Sequence, residues 1–275
     1  MNTSRRTLLG AAVGGAVAVG LPNLAAPAHA VPAHAAPALA TPAPAASWQL
    51  KWSPSASRDG LRAFETLEDD RADSHTSYGP HITTEGDNFR FTMHTRDRDT
   101  STDRQRHEVT GCRSGDSFLQ WRQGETWRVS YSMYIPSSLK ATTTFTHIMQ
   151  MKQPGPGTGP IVVQSLRRVN GQQTIELKIF EPNILVGRTA LAPLHNTWTD
   201  VVFDLKIGNG TSGSARWALS QRGSTIVDTT RTGVDTFLAD RVRPKWGIYR
   251  SLGDSSGSLQ DCYLLLTNMR GYQLV

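Results

Sequence analysis

An all-β sandwich is the fold class that the 275-residue sequence predicts. Three observations lead there: apolar side chains recur with a period of two in a succession of short runs, glycine and proline punctuate the intervals, and no segment carries a helical repeat of useful length.

The N-terminus reads as an address and not as part of the fold. Ser4-Arg5-Arg6-Thr7-Leu8-Leu9 sets two arginines ahead of an apolar run softened by glycines, and Ala28-His29-Ala30 supplies a small-x-small cleavage pattern. Residues 1–30 are therefore expected to be a twin-arginine signal peptide, and the protein to be secreted by that route. The apolar run is about fourteen residues, short of the roughly twenty that cross a bilayer, so no stable membrane anchor is expected. Residues 31–46, rich in alanine and proline, read as a flexible spacer. Residues 47–275 are assigned to one domain, since no low-complexity linker interrupts them.

Within that domain the strands follow in order. RQRHEV (104–109) alternates, with Arg104, Arg106 and Glu108 on one face and Gln105, His107 and Val109 on the other. Trp127, Val129, Tyr131, Met133 and Ile135 share a face of the next run, and Pro136 stops it. FTHIMQMK (145–152) places Gln150 and Lys152 opposite Phe145, His147, Met149 and Met151. Further runs are TIELKIF (174–180), TDVVFDLKI (199–207), ARWALSQ (215–221), STIVDTT (224–230), KWGIYR (245–250) and CYLLLTNMRGYQLV (262–275). In the penultimate run Lys245, Gly247, Tyr249 and Ser251 line one face, with Trp246 and Ile248 on the other. Asn170-Gly171, Gly208-Asn209-Gly210 and PGPGTGP (154–160) supply turns. So many short strands imply a sandwich or jelly roll.

Charge narrows the partners. Loss of Arg5 and Arg6 with the signal leaves 27 basic against 23 acidic residues, a net +4. This mild cationic balance suits a polyanion, while the scattering of the arginines argues against nucleic acid. The only two cysteines, Cys112 and Cys262, are expected to form a disulfide after export. Neither lies in a CxxC, so a redox role is not expected.

Three motifs then resemble a family. Arg106-His107-Glu108-Val109, Gln150-Met151-Lys152 and Lys245-Trp246-Gly247-Ile248-Tyr249 are similar, in order, to the R-x-E-L, Q-I-H and K-x-G-x-Y signatures of the jelly-roll polysaccharide lyases. That group includes the alginate, glucuronan and heparinase I-like lyases. The resemblance implies a concanavalin-like β-jelly roll with a concave substrate groove, and β-elimination on an acidic, uronic acid-containing polysaccharide. It assigns Tyr249 as acid and base, with Arg106 and Gln150 at the carboxylate. Lys152 and Lys245 would bind substrate anions or tune Tyr249, and Glu108, Arg104, His81 and His147 complete the expected substrate-binding set. The chemistry needs such groups: the C5 proton beside an ionised carboxylate is barely acidic, so donors must neutralise that carboxylate and stabilise the enolate. A free tyrosine ionises near pH ~10, so cations must surround it.

Lys152 stands where the family has a histidine. Strand alternation turns His147 away from Gln150, which leaves a single tyrosine for both proton transfers. That favours glucuronan-like or mannuronan-like substrates, in which the C5 proton and the C4 oxygen share a side. His75, His81 and His94 lie on early strands, and His81 is the first of them expected to reach the groove. The alternative function is a non-catalytic carbohydrate-binding sandwich. No cofactor or metal is expected, and a monomer is. Glu65-Thr66-Leu67-Glu68-Asp69-Asp70 has the wrong spacing for a glycosidase acid pair and reads as a solvated acidic turn. Asp97, Asp99 and Asp103 read as surface ion pairs and not as a calcium loop, because arginines interleave them.

Overall fold

The computed structural model describes residues 46–155 and 158–275. The assignments made to residues 1–30, and nearly all of the 31–46 spacer, lie outside the described residues. In chain order the strands are β1 (Trp48–Trp52), β2 (Thr66–Glu68), β3 (Ile82–Glu85), β4 (Asn88–Met93), β5 (Arg104–Thr110), β6 (Arg113–Ser114) and β7 (Ser117–Phe118). They continue as β8 (Thr126–Tyr134), β9 (Thr146–Lys152), β10 (Val162–Val169), β11 (Gln172–Ile179), β12 (Ile184–Ala190) and β13 (Trp198–Lys206). The last four are β14 (Gly213–Gln221), β15 (Ser224–Val234), β16 (Arg243–Ser251) and β17 (Cys262–Leu274). Each run read from alternation is a strand. Asn170 and Gly171 both take positive φ between β10 and β11, the geometry of a tight hairpin that only such residues adopt without strain.

Two large antiparallel sheets result, and β6 and β7 pair as a separate two-stranded ribbon. One runs β15-β14-β13-β8-β17-β4-β3, with β1 also paired to β17, and the other runs β12-β11-β10-β9-β16-β5-β2. The core lies between them because each strand sends alternate apolar side chains inward. Tyr131 and Trp217 come from the first sheet, and Trp246 and Leu177 from the second. Tyr131 meets Trp246 edge to face at 6.3 Å. Gln164 of β10 crosses the same core, and its side-chain oxygen accepts from Trp217 Nε1 at 3.1 Å and from the Tyr131 hydroxyl at 3.3 Å. A buried amide is thereby satisfied and pins the two sheets in register.

The expected disulfide does not form: Cys112 and Cys262 are both free and buried. Gly111, next to Cys112, bonds Pro244 at the start of β16, whereas Arg250 near its end reaches Cys262 Sγ at 3.4 Å. Six residues of extended strand separate these points, about 20 Å, where a disulfide tolerates a Cα separation of about 7 Å at most. Burial pushes both thiols up, Cys262 to about 11, so both are inert.

Candidate active site

A groove of about 850 Å³ opens on the outer face of the seven-stranded sheet. Alternation in β5 and β16 delivers Arg104, Arg106 and Tyr249 to it, while Gln105, His107, Trp246 and Ile248 turn into the interior. β9 adds His147, Gln150 and Lys152, and β10 adds Ser165 and Arg167.

His147 is placed contrary to the alternation. Against β10, Gln164 pairs with Met149 but Ser165 pairs with His147, so Ile148 is an extra residue. Against β16, Trp246 pairs with Met149 and Tyr249 with His147. This bulge resets the phase of β9 between His147 and Gln150 and brings both to the groove. His147 thus faces the groove together with Gln150 and Lys152. Its ring lies 5.7 Å from that of Tyr249 and stacks on Phe145 at 4.7 Å, and Nδ1 is 2.6 Å from Ser165 Oγ. Burial, then the charges of Arg106 and Arg167, lower His147 to about 3, so the imidazole is neutral.

Tyr249 sits among cations. Arg104 Nη1 donates to its phenolic oxygen at 2.6 Å, and the Arg106 guanidinium lies 3.9 Å from its ring centroid. Arg106 is itself fixed by three carboxylates: Asp99 at 3.0 Å, Glu68 at 3.3 Å and Glu108 at 3.5 Å. Gln150 Nε2 donates to Glu108 Oε1 at 2.6 Å. Lys245 bonds Glu68 and lies 3.1 Å from Glu108.

Two expected substrate contacts are therefore corrected. Glu108 is fully buried and Lys245 nearly so, and neither lines the groove; they form the layer that holds Arg106 and Gln150. His81 is also corrected. It is buried on the opposite side of β5, stacked on His107 at 4.2 Å, and does not reach the groove.

The acidic segment at 65–70 is not a solvated turn. β2 pairs with β5, with Glu68 opposite Glu108, and this carries Glu68 to Lys245 and Arg106. Burial would raise the Glu68 carboxyl, but the attraction of Lys245 and Arg106 overcomes it and holds it at about 2. Asp97 and Asp99 are buried too, and only Asp103 makes the expected surface pair, with Arg104. Alternation within one strand carries no information on which distant segment will pair with it.

The cations left for a ligand are Lys152 and Arg167. Neither has an acidic partner among the described residues, and both line the groove. Burial, then the like charges of Lys245 and Arg106, lower the Lys152 ammonium from its ordinary range. Arg167 was not singled out in the sequence, because β10 carries no motif.

No protein-family model matches the sequence, and comparison with curated proteins finds no match. Solved structures do match. A marine family 14 alginate lyase from Aplysia kurodai superposes with a TM-score of 0.53 at 15% identity, over 81% of this chain and 98% of that one. The chain has the β-jelly-roll fold. An endo-β-1,4-glucuronan lyase from the fungus Trichoderma reesei is also similar, at 17% identity and a TM-score of 0.47, over 75% of this chain and 86% of that one. At these identities the jelly roll alone is shared.

Proposed function

We propose that the protein is an exported polysaccharide lyase that cleaves a uronic acid polymer by β-elimination at Tyr249. The observation that carries this reading is the hydrogen bond from Arg104 to the Tyr249 oxygen, inside a groove that also holds Lys152 and Arg167, cations without an acidic partner among the described residues. Arg104 at that oxygen and Arg106 over the ring stabilise a phenolate from two sides. The phenolate takes the C5 proton of a bound uronate. The electron pair of that C–H bond forms the C4–C5 double bond, the C4–O bond breaks, and the departing oxygen takes a proton back from Tyr249. The products are a shortened chain and a chain with an unsaturated uronate at its end.

Lys152 and Arg167 supply charge to neutralise the uronate carboxylate, and Gln150 and His147 offer hydrogen bonds. His147, lowered to about 3, is too weakly basic to take the C5 proton. Tyr249 then serves both transfers, which requires the C5 proton and C4 oxygen on one side. This supports a glucuronan-like or mannuronan-like substrate. The signal-like residues 1–30 support an extracellular polymer as the target.

The test is ultraviolet absorbance of the unsaturated product on glucuronan, mannuronan, guluronan and galacturonan. Absorbance should rise on one of the first two and fall by about 100-fold or more in Tyr249→Phe. Cleavage confined to guluronan or galacturonan would overturn the stereochemical assignment. No product from any of these polymers with a folded protein would overturn the lyase.

A further inference from the structure

On the inner side of β5, away from the groove, His75, His81, His94 and Asp97 bring their donor atoms within 4.8 Å of one another. We propose that these four side chains bind one divalent transition-metal ion of the zinc class in a closed site, separate from the groove chemistry.

The spacing fits such an ion. His75 Nδ1 lies 2.8 Å and His81 Nε2 3.5 Å from Asp97 Oδ1, and His94 Nδ1 lies 3.3 Å from Asp97 Oδ2. Ligands about 2.0–2.1 Å from a tetrahedral ion stand about 3.3 Å apart.

Among the described residues, two of these atoms also lack any other partner. His81 Nε2 and His94 Nδ1 are buried and make no hydrogen bond, although His81 is only 1% exposed. His81 Nδ1 is 3.1 Å from Asp69 Oδ1, so the ring proton sits there and donates to the carboxylate. The Nε2 lone pair is left facing the Asp97 carboxylate with no proton between them. A cation at that point turns two repelling acceptors into two ligands.

His107 completes the arrangement from outside. Its Nδ1 accepts from the Asp70 backbone N–H at 3.2 Å, which puts the ring proton on Nε2, 3.1 Å from Asp97 Oδ2. That contact orients the carboxylate, as outer-shell donors do at metal centres. Three imidazoles and one carboxylate favour zinc, cobalt or nickel over calcium, which takes oxygen ligands. The His75 and His94 side chains keep 11% and 16% exposure, an entry path beside the Tyr78 ring, 4.1 Å from that of His94. The ion would also tie the end of β4 to the segment that carries Asp99, the partner of Arg106.

The experiment uses the purified protein stripped by a chelator, then titrated with Zn²⁺ by calorimetry and with Co²⁺ by visible absorption. A single ion per chain, the strong visible bands of tetrahedral cobalt, and a rise in melting temperature of about 5–10 °C at saturation are expected. His81→Gln and His94→Gln should each lose the bands and the thermal rise. His94 is the more exposed of the two, so its variant stays folded even where that of His81 does not, as circular dichroism will show. Absence of stoichiometric uptake by the unaltered protein, or full cobalt bands in His94→Gln, would overturn the site. Lyase activity is not a readout, so this outcome is independent of the proposed function.

Discussion

His147 and Gln150 face one groove from positions three apart in a single strand, which only the bulge at Ile148 allows. The bulge supplies the groove with a histidine that strand alternation would have buried in the core. Burial then makes that histidine a neutral hydrogen-bonding group.

The first prediction concerns its proton. His147 is lowered from an ordinary 6.5 to about 3, so between these values only the unfolded chain takes the proton. Stability is therefore unaffected above pH 6.5 and falls as pH drops below it. Proton–nitrogen NMR should find a neutral ring down to about pH 4, and His147→Gln should flatten the loss of melting temperature between about pH 6.5 and 4. A ring that titrates near 6.5 would refute this.

Gly247 explains itself in the fold. Its φ is +142°, and a Cβ there would stand 2.1 Å from the His107 carbonyl oxygen and 2.8 Å from Glu108 Cα. Both contacts are backbone atoms of β5, which cannot move without breaking the sheet. Gly247→Ala should cost about 3 kcal/mol or more, and lower the melting temperature by roughly 6–12 °C. A variant within a degree of the parent would show that β16 and β5 can part at this point.

Glu68 sets an acid limit. Its carboxyl is held at about 2 against an ordinary 4.5, so its stabilisation is complete above 4.5 and is lost as pH falls toward 2. That difference corresponds to about 3 kcal/mol at neutral pH. Thermal melts of Glu68→Gln should start lower and decline less between about pH 4.5 and 2 than those of the parent. Parallel curves would mean that Lys245 and Arg106 do not need this partner.

Lys152 and Arg167 should act on substrate and not on the fold. Lys152→Met should lower kcat/KM on the cleaved polymer by about 10–100-fold, the cost of one charge-assisted contact, with little change in melting temperature. Lys152→Arg should recover part of the loss. Arg167→Met should act in the same direction, and unchanged kinetics in both Met variants would remove these cations from the carboxylate.

Much of this was written in the local sequence. Period-two alternation is a property of an extended chain, so it places Arg104 and Arg106 on one face of β5, and Gly247 and Tyr249 on one face of β16, before any partner strand is known. The same rule places Trp246 and Ile248 in the core. Three features depended instead on contacts between distant segments. Pairing with β10 and β16 put the bulge into β9 and turned His147 outward. Pairing of β2 with β5 made Glu68 the counter-ion of Lys245 and Arg106, and packing of the loop before β5 buried Asp97 and Asp99. The topology also set Cys112 and Cys262 beside opposite ends of β16, beyond reach of each other. An alternation pattern fixes a side chain's face within its own strand; register and sheet order, which decide what that face meets, are settled only when remote strands compete for the same edges.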